Sequence, residues 1–179
     1  MNARLPTSLP APGLSEEDAF GLLERTNLSE MMAEARALRD EGFGALLTYS
    51  KKLFIPLTHL CRDVCHYCTF ATTPRHQQAP YMSVEAVLDA ARQGAAAGCK
   101  EALFTLGEKP ELRYRAAREA LATLGFPSTT AYLAHVAERV LSETGLLPHL
   151  NPGTLSDEEF RALKPVGPSM GMMLESTSL

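Results

Sequence analysis

The feature that most constrains the fold of this chain is a regular alternation of short apolar segments with longer amphipathic ones. The short segments have the length of strands, and the longer ones have the apolar spacing and caps of helices. We predict strands over 53–58, 101–106, 146–150 and 169–175, and helices over 84–97, 112–124, 129–144 and 156–163. Such alternation is typical of a parallel α/β sheet, either doubly wound or closing into a barrel. Pro56 weakens the first strand prediction, because proline cannot donate to a sheet ladder.

The first 45 residues precede this alternation. Residues 1–13 are rich in proline and glycine and predict an irregular arm. Two helices are then predicted over 16–25 and 28–41, the second ended by Gly42 and Gly44. The sequence therefore predicts an N-terminal arm with helices over 1–45 and an α/β part over 46–179.

Composition and charge exclude several classes of protein. The 179 residues are 45% hydrophobic and 21% charged, which is typical of a globular domain. The net charge is -4 and the basic residues form no stripe, so we expect no nucleic-acid partner. No apolar run approaches the roughly 18 residues of a membrane span, and the first residues lack a signal-peptide core. A cytoplasmic location is expected.

The polar residues that stand out follow the predicted strands. The segment 59–75 follows the first strand, Glu108 the second and Asn151 the third, and Glu175 ends the fourth. In parallel α/β proteins ligands bind at the carboxyl ends of the strands. We therefore expect these residues at one site.

The segment 59–75 contains the motif C-x3-C-x2-C, formed by Cys61, Cys65 and Cys68. Three thiolates can hold three irons of a [4Fe–4S] cluster, and the open fourth iron can bind a small molecule. The alternative is a structural zinc site, with His59 or His66 as the fourth ligand.

The fourth cysteine, Cys99, lies some 30 residues further on, at a junction between a helix and a strand. It is interpreted as a small buried hydrophobic residue rather than a ligand.

The cysteine motif after a first strand resembles that of the radical S-adenosylmethionine (SAM) superfamily. The resemblance implies that the open iron binds SAM, which is split to give a 5′-deoxyadenosyl radical. It also implies that Tyr67, just before the last cysteine, flanks the adenine.

Longer stretches resemble one family within that superfamily, the FO synthases, which form the deazaflavin 7,8-didemethyl-8-hydroxy-5-deazariboflavin. The similar stretches are 48–58, 61–71, 102–111, 149–153 and 169–176. This resemblance implies that Glu108 binds the methionine amino group, that Glu175 and Ser176 contact the ribose, and that Asn151 touches substrate.

The implied activity is that of a carbon–nitrogen lyase. It would convert a tyrosine-derived ribitylaminouracil adduct with release of ammonia. The expected partners are an electron donor and a partner radical SAM subunit or fused domain. The resemblance also implies a barrel of six strands, and four are predicted here, so a barrel truncated after the fourth strand is expected. The alternatives are the tyrosine-transferring partner of FO synthase, a menaquinone-pathway homologue, or an inactive fragment; the Thr69-Phe70-Ala71 segment favours FO synthase.

Overall fold

The computed structural model of the chain describes residues 15–173. Its packing divides into two compact units, with the boundary between Tyr49 and Ser50. Over the described range, no helix combines the length and the apolar character that crossing a membrane requires.

The first unit contains two helices, α1 (Glu16–Leu23) and α2 (Leu28–Phe43). The Ser15 side chain caps α1 by accepting a backbone N–H of its first turn at 3.1 Å. Helix α2 includes Gly42 and ends at Gly44, whose positive φ of 57° favours glycine. Both helices begin where the sequence predicts them; α1 ends two residues earlier than predicted, and α2 extends two residues further.

The second unit is built on a parallel sheet. Its strands are β1 (Lys52–Thr58), β2 (Glu101–Leu106), β3 (Leu147–Asn151) and β4 (Ser169–Met170). All three pairings are parallel and the strand order is β1-β2-β3-β4. The predicted parallel α/β fold is confirmed. Consecutive strands are neighbours throughout, as in a barrel, whereas a doubly wound sheet reverses its order.

Helices connect these strands. They are α3 (Val84–Ala96), α4 (Arg115–Leu124), α5 (Thr129–Thr144) and α6 (Asp157–Leu163), with short 3-10 turns at Pro74–His76 and Pro110–Leu112. Ser83 caps α3, and Ser156 forms a capping box with Glu159 at α6, as predicted. The helix predicted from residue 112 begins only at Arg115, because a 3-10 turn occupies the preceding residues.

The core lies on one face of the sheet, where α3 packs on β1 and α5 packs on β3. Alternate strand residues point into it, since successive side chains of a strand face opposite sides. The buried strand residues are Ile55, Leu57, Ala102, Phe104, Pro148 and Leu150, together with Thr58 at the end of β1. The residues between them, among them Glu101, His149 and Asn151, belong to the opposite face and are only partly buried.

Two strands differ from expectation. Pro56 lies within β1, where it is tolerated because, within residues 15–173, β1 pairs only with β2 and the register shifts between Pro56 and Thr58. Strand β4 is shorter than predicted: Gly171 donates one more hydrogen bond to Leu150 at 2.9 Å, and the ladder then stops. The prediction of a strand through residue 175 is wrong for 171–173, and its last two residues lie outside the described range.

Candidate cofactor site

The cysteine segment is a loop whose two ends are held together. Leu60, fully buried after β1, forms an isolated β-bridge with Thr72, and the Thr72 N–H donates to His59 O at 2.9 Å. The Thr58 hydroxyl accepts the Leu60 N–H at 3.1 Å and donates to Pro80 O at 2.6 Å. The residues between Leu60 and Thr72 are therefore presented at the carboxyl end of β1.

The three cysteines of the loop line one cavity. Cys61 is half-buried, and Cys65 and Cys68 are exposed. The Glu108 N–H donates to Cys61 Sγ at 3.3 Å, and the Ala71 N–H donates to Cys68 Sγ at 3.5 Å. Hydrogen bonds to sulfur stabilise thiolates and tune the clusters that they hold.

The cavity has a volume of about 390 Å³ and receives residues from the carboxyl end of every strand. The cysteine loop follows β1, and the cavity is also lined by Leu106 and Gly107 at the end of β2, Asn151 at β3 and Gly171 after β4. This is the edge of a parallel sheet where ligands bind. The prediction that the polar strand-end residues meet at one site agrees with this geometry for Glu108 and Asn151.

The donor set of the loop fits an iron–sulfur cluster better than zinc. Within residues 15–173, no three His, Cys, Asp or Glu side chains are already arranged to hold a metal ion. Three thiols around one cavity match a cluster with three protein ligands, whereas structural zinc takes four. Neither predicted fourth zinc ligand lines the cavity: His66 is exposed, and His59 Nδ1 lies 3.0 Å from Phe70 O, with its ring packed against Phe70 at a tilt of 38°.

Glu108 is held firmly at the cavity wall. Its Oε1 accepts from the Arg62 guanidinium and the Thr154 hydroxyl, and its Oε2 accepts the Thr154 N–H at 3.1 Å. Its side chain is only 13% exposed. A carboxylate offers about four lone-pair positions, so three donors leave one for a ligand.

Two glycines permit this arrangement. A Cβ at Gly107 would overlap the Leu60 carbonyl oxygen and lie 2.9 Å from Cys61 Cα. A Cβ at Gly153 would lie 2.7 Å from Glu108 Cδ. Both positions need a residue without a side chain, because backbone or carboxylate occupies the space.

Arg62 joins the cysteine loop to the end of β2. Its backbone N–H donates to Glu108 O at 2.9 Å, its carbonyl accepts from Arg113 at 3.0 Å, and its side chain is paired with Glu108. Its Nε is buried and has no hydrogen-bond partner among the described residues, the Asp63 carboxylate lying 3.7 Å away. The sequence placed Arg62 in the loop but did not indicate its pairing with Glu108, and it gave no signal for Thr154.

Of the other predicted site residues, Tyr67 is exposed at the cavity rim and Asn151 lies at the end of β3. Glu175 and Ser176 lie outside the described residues. Cys99 packs against the core and is not part of the cavity lining. The roles assigned to these residues stay predictions.

A parallel strand–helix frame with three cysteines at its ligand-binding edge is the arrangement of a radical SAM protein. The sequence profile of the "Radical SAM superfamily" matches residues 55–178. The chain therefore belongs to the radical SAM superfamily.

Within that superfamily the chain is homologous to FO synthases. It is 55% identical over 161 residues to the FO synthase of Streptomyces avermitilis, covering 85% of this chain and 19% of that protein. It is 51% identical over 178 residues to the FO synthase of Mycobacterium tuberculosis strain H37Rv, and this match covers 91% of this chain and 21% of that protein. It is 46% identical over 133 residues to the 7,8-didemethyl-8-hydroxy-5-deazariboflavin synthase of Methanopyrus kandleri, and this match covers 74% of this chain and 40% of that protein.

The chain thus spans about a fifth of the length of the first two relatives. Among solved structures, methylornithine synthase superimposes with a TM-score of 0.61 at 19% identity, covering 88% of this chain and 42% of that one. This likeness concerns the fold alone.

Proposed function

We propose that this chain is part of a radical SAM lyase that forms 7,8-didemethyl-8-hydroxy-5-deazariboflavin with release of ammonia. Its substrate would be the tyrosine-derived adduct of a ribitylaminouracil. The observation that carries the proposal is the meeting of the three loop cysteines and Glu108 at one cavity. The identity to FO synthases supports the choice among radical SAM reactions.

In this proposal Cys61, Cys65 and Cys68 hold a [4Fe–4S] cluster and leave one iron open for SAM. When bound, the cluster supplies the electron that splits SAM into methionine and a 5′-deoxyadenosyl radical. Tyr67 flanks the adenine, and Asn151 contacts substrate. Glu175 and Ser176 are assigned to the ribose, on the resemblance alone.

Glu108 binds the ammonium of SAM through its remaining lone pair. A preorganised, mostly buried carboxylate makes a stronger charge-assisted hydrogen bond than one in water. Arg62 and Thr154 fix its position, so little conformational freedom is lost when the ligand arrives. Apolar residues such as Phe70 and Leu106 line the same space.

The remaining parts of the proposal concern the setting of the site. The catalytic part is residues 46–179, and residues 1–45 form the N-terminal arm and helices. The protein works in the cytoplasm with an electron donor, and a partner radical SAM subunit or fused domain supplies the adduct.

The proposal is tested by anaerobic iron–sulfur reconstitution of the chain, followed by incubation with SAM, dithionite and the adduct. Roughly four irons per chain are expected for a [4Fe–4S] cluster, together with 5′-deoxyadenosine and the fluorescent deazaflavin. 5′-Deoxyadenosine formed from SAM in the presence of tyrosine plus the ribitylaminouracil, but not in the presence of the adduct, would instead favour the tyrosine-transferring enzyme. Bound zinc without iron would contradict the radical reaction.

Replacing Glu108 with glutamine is expected to weaken SAM binding roughly 10- to 100-fold. A hydrogen bond between charged groups contributes about 1.5–3 kcal/mol, and glutamine keeps the shape while removing the charge. Equilibrium dialysis of SAM against the reconstituted protein measures the effect. The control is Glu119→Gln on α4, which removes the same charge from an exposed pair with Arg115 at 3.3 Å. Equal SAM affinities in the two variants would remove Glu108 from the site.

A further inference from the structure

A histidine that the proposed function does not use lies next to the cavity. His149 is two residues before Asn151 in β3, so both side chains belong to the sheet face opposite the core. Gly171 lies next to both of these side chains. A Cβ built at Gly171 would be 2.7 Å from Asn151 Oδ1 and 3.7 Å from His149 Nε2. Asn151 and Gly171 both line the cavity, and His149 lies next to this part of the wall without itself being one of the lining residues.

The other nitrogen of the ring faces an acidic group. His149 Nδ1 lies 3.7 Å from Glu101 Oε2. Glu101 is itself paired with Lys52 and accepts a hydrogen bond from Ser50 at 2.7 Å. The hydrogen bonds from Lys52 and Ser50 keep the pKa of Glu101 below its ordinary value, so it is a carboxylate at neutral pH.

This geometry gives the two ring nitrogens of His149 different roles. A carboxylate beside Nδ1 favours the tautomer that carries its proton there, which leaves the Nε2 lone pair as an acceptor. The side chains of His149 and Glu101 are 25% and 22% exposed, so both are partly shielded from water. Nε2 is the ring atom of His149 nearest to the Cβ position of Gly171.

We propose that His149, oriented by Glu101, transfers the proton in the ammonia-releasing step; this rests on the proposed function and deepens it. A substrate C–H bond breaks heterolytically, its proton passes to Nε2, and its electron pair forms a carbon–carbon double bond. The adjacent C–N bond breaks with its pair on nitrogen, and the imidazolium returns the proton there, so that ammonia leaves. This elimination balances without an added oxidant or reductant. His149 is then a catalytic residue, and Glu101 a positioning residue.

The first test needs neither cofactor nor substrate. Long-range ¹H–¹⁵N spectra of the labelled chain at about pH 9, where an ordinary imidazole is neutral, report the tautomer of each histidine, and the His149→Gln variant identifies the His149 signals. We expect the Nδ1–H tautomer to predominate at His149 and to lose its predominance in Glu101→Gln. An Nε2–H tautomer in both proteins would overturn the inference.

The second test separates proton transfer from radical formation. In His149→Gln, 5′-deoxyadenosine formation should persist while the deazaflavin formed per 5′-deoxyadenosine falls at least roughly 100-fold, the lower range for acid–base catalysis. Added imidazole should restore part of that ratio in His149→Ala. The control, His135→Gln, changes a histidine whose ring centroid lies 5.0 Å from that of Phe126, and should keep the unaltered ratio.

An unchanged ratio in His149→Gln would overturn the role. Absence of 5′-deoxyadenosine from the unaltered chain would count against the proposed function instead, and the tautomer measurement would then decide whether His149 is oriented as inferred.

Discussion

Replacing Cys65 with alanine is expected to remove most of the bound iron and to reduce 5′-deoxyadenosine formation more than roughly 100-fold. Loss of groups that only support metal ligands commonly lowers metal affinity or activity 10- to 100-fold, and loss of a ligand itself should lower them more. Cys65 is the middle cysteine of the loop, and its carbonyl accepts the Cys68 N–H at 3.0 Å, so the two proposed ligands lie on one tight turn. Because alanine retains the backbone, the fold should persist while the site is lost.

The matched control is Cys99→Ala. Cys99 lies outside the loop and packs against the core, so its loss should cost a little stability and leave the iron content unchanged. Iron and labile sulfide per chain, the cluster absorbance and the 5′-deoxyadenosine yield are measured for both variants. An equal loss of iron in both would mean that the cluster is not held by the loop, and normal iron in Cys65→Ala would remove Cys65 from the ligand set.

Local signals in the sequence predicted the elements and the cysteine loop well. Ser83 and Ser156 cap the helices they were expected to cap, because a cap and its first turn are within four residues of one another. The C-x3-C-x2-C spacing likewise brings three thiols to one loop without help from distant parts of the chain. These features depend on local chemistry, which a sequence pattern records.

The contacts that complete the site depend on the sheet and were not predictable in the same way. Arg62, Glu108 and Thr154 follow three different strands and meet only because those strands are parallel neighbours. Nothing in the local sequence of Thr154 distinguishes it from an ordinary turn residue after Pro152 and Gly153. The same reason explains why His149 was not singled out: its neighbours Glu101 and Gly171 lie on adjacent strands or just beyond them.

Replacing Gly107 with alanine is expected to lower the free energy of unfolding by about 3 kcal/mol, at the upper end of what overpacking usually costs. The added Cβ would lie 2.6 Å from the Leu60 carbonyl carbon and 2.9 Å from Cys61 Cα, and these are backbone atoms that cannot rotate away. Leu60 cannot yield easily, because it is fully buried and bridged to Thr72. Urea denaturation followed by circular dichroism measures the change.

Gly94→Ala in α3 provides the contrasting case for this argument. Its Cβ would lie 2.9 Å from Leu53 Cδ2, the end of a side chain that can turn aside. Alanine is also favoured over glycine in a helix interior by roughly 0.5–1 kcal/mol, so the net change should stay within about 1 kcal/mol. If the two variants lose similar stability, close backbone approach is not what requires glycine between β2 and Glu108. A loss confined to Gly107→Ala would show that the cysteine loop and the end of β2 are packed as one rigid wall of the cofactor cavity.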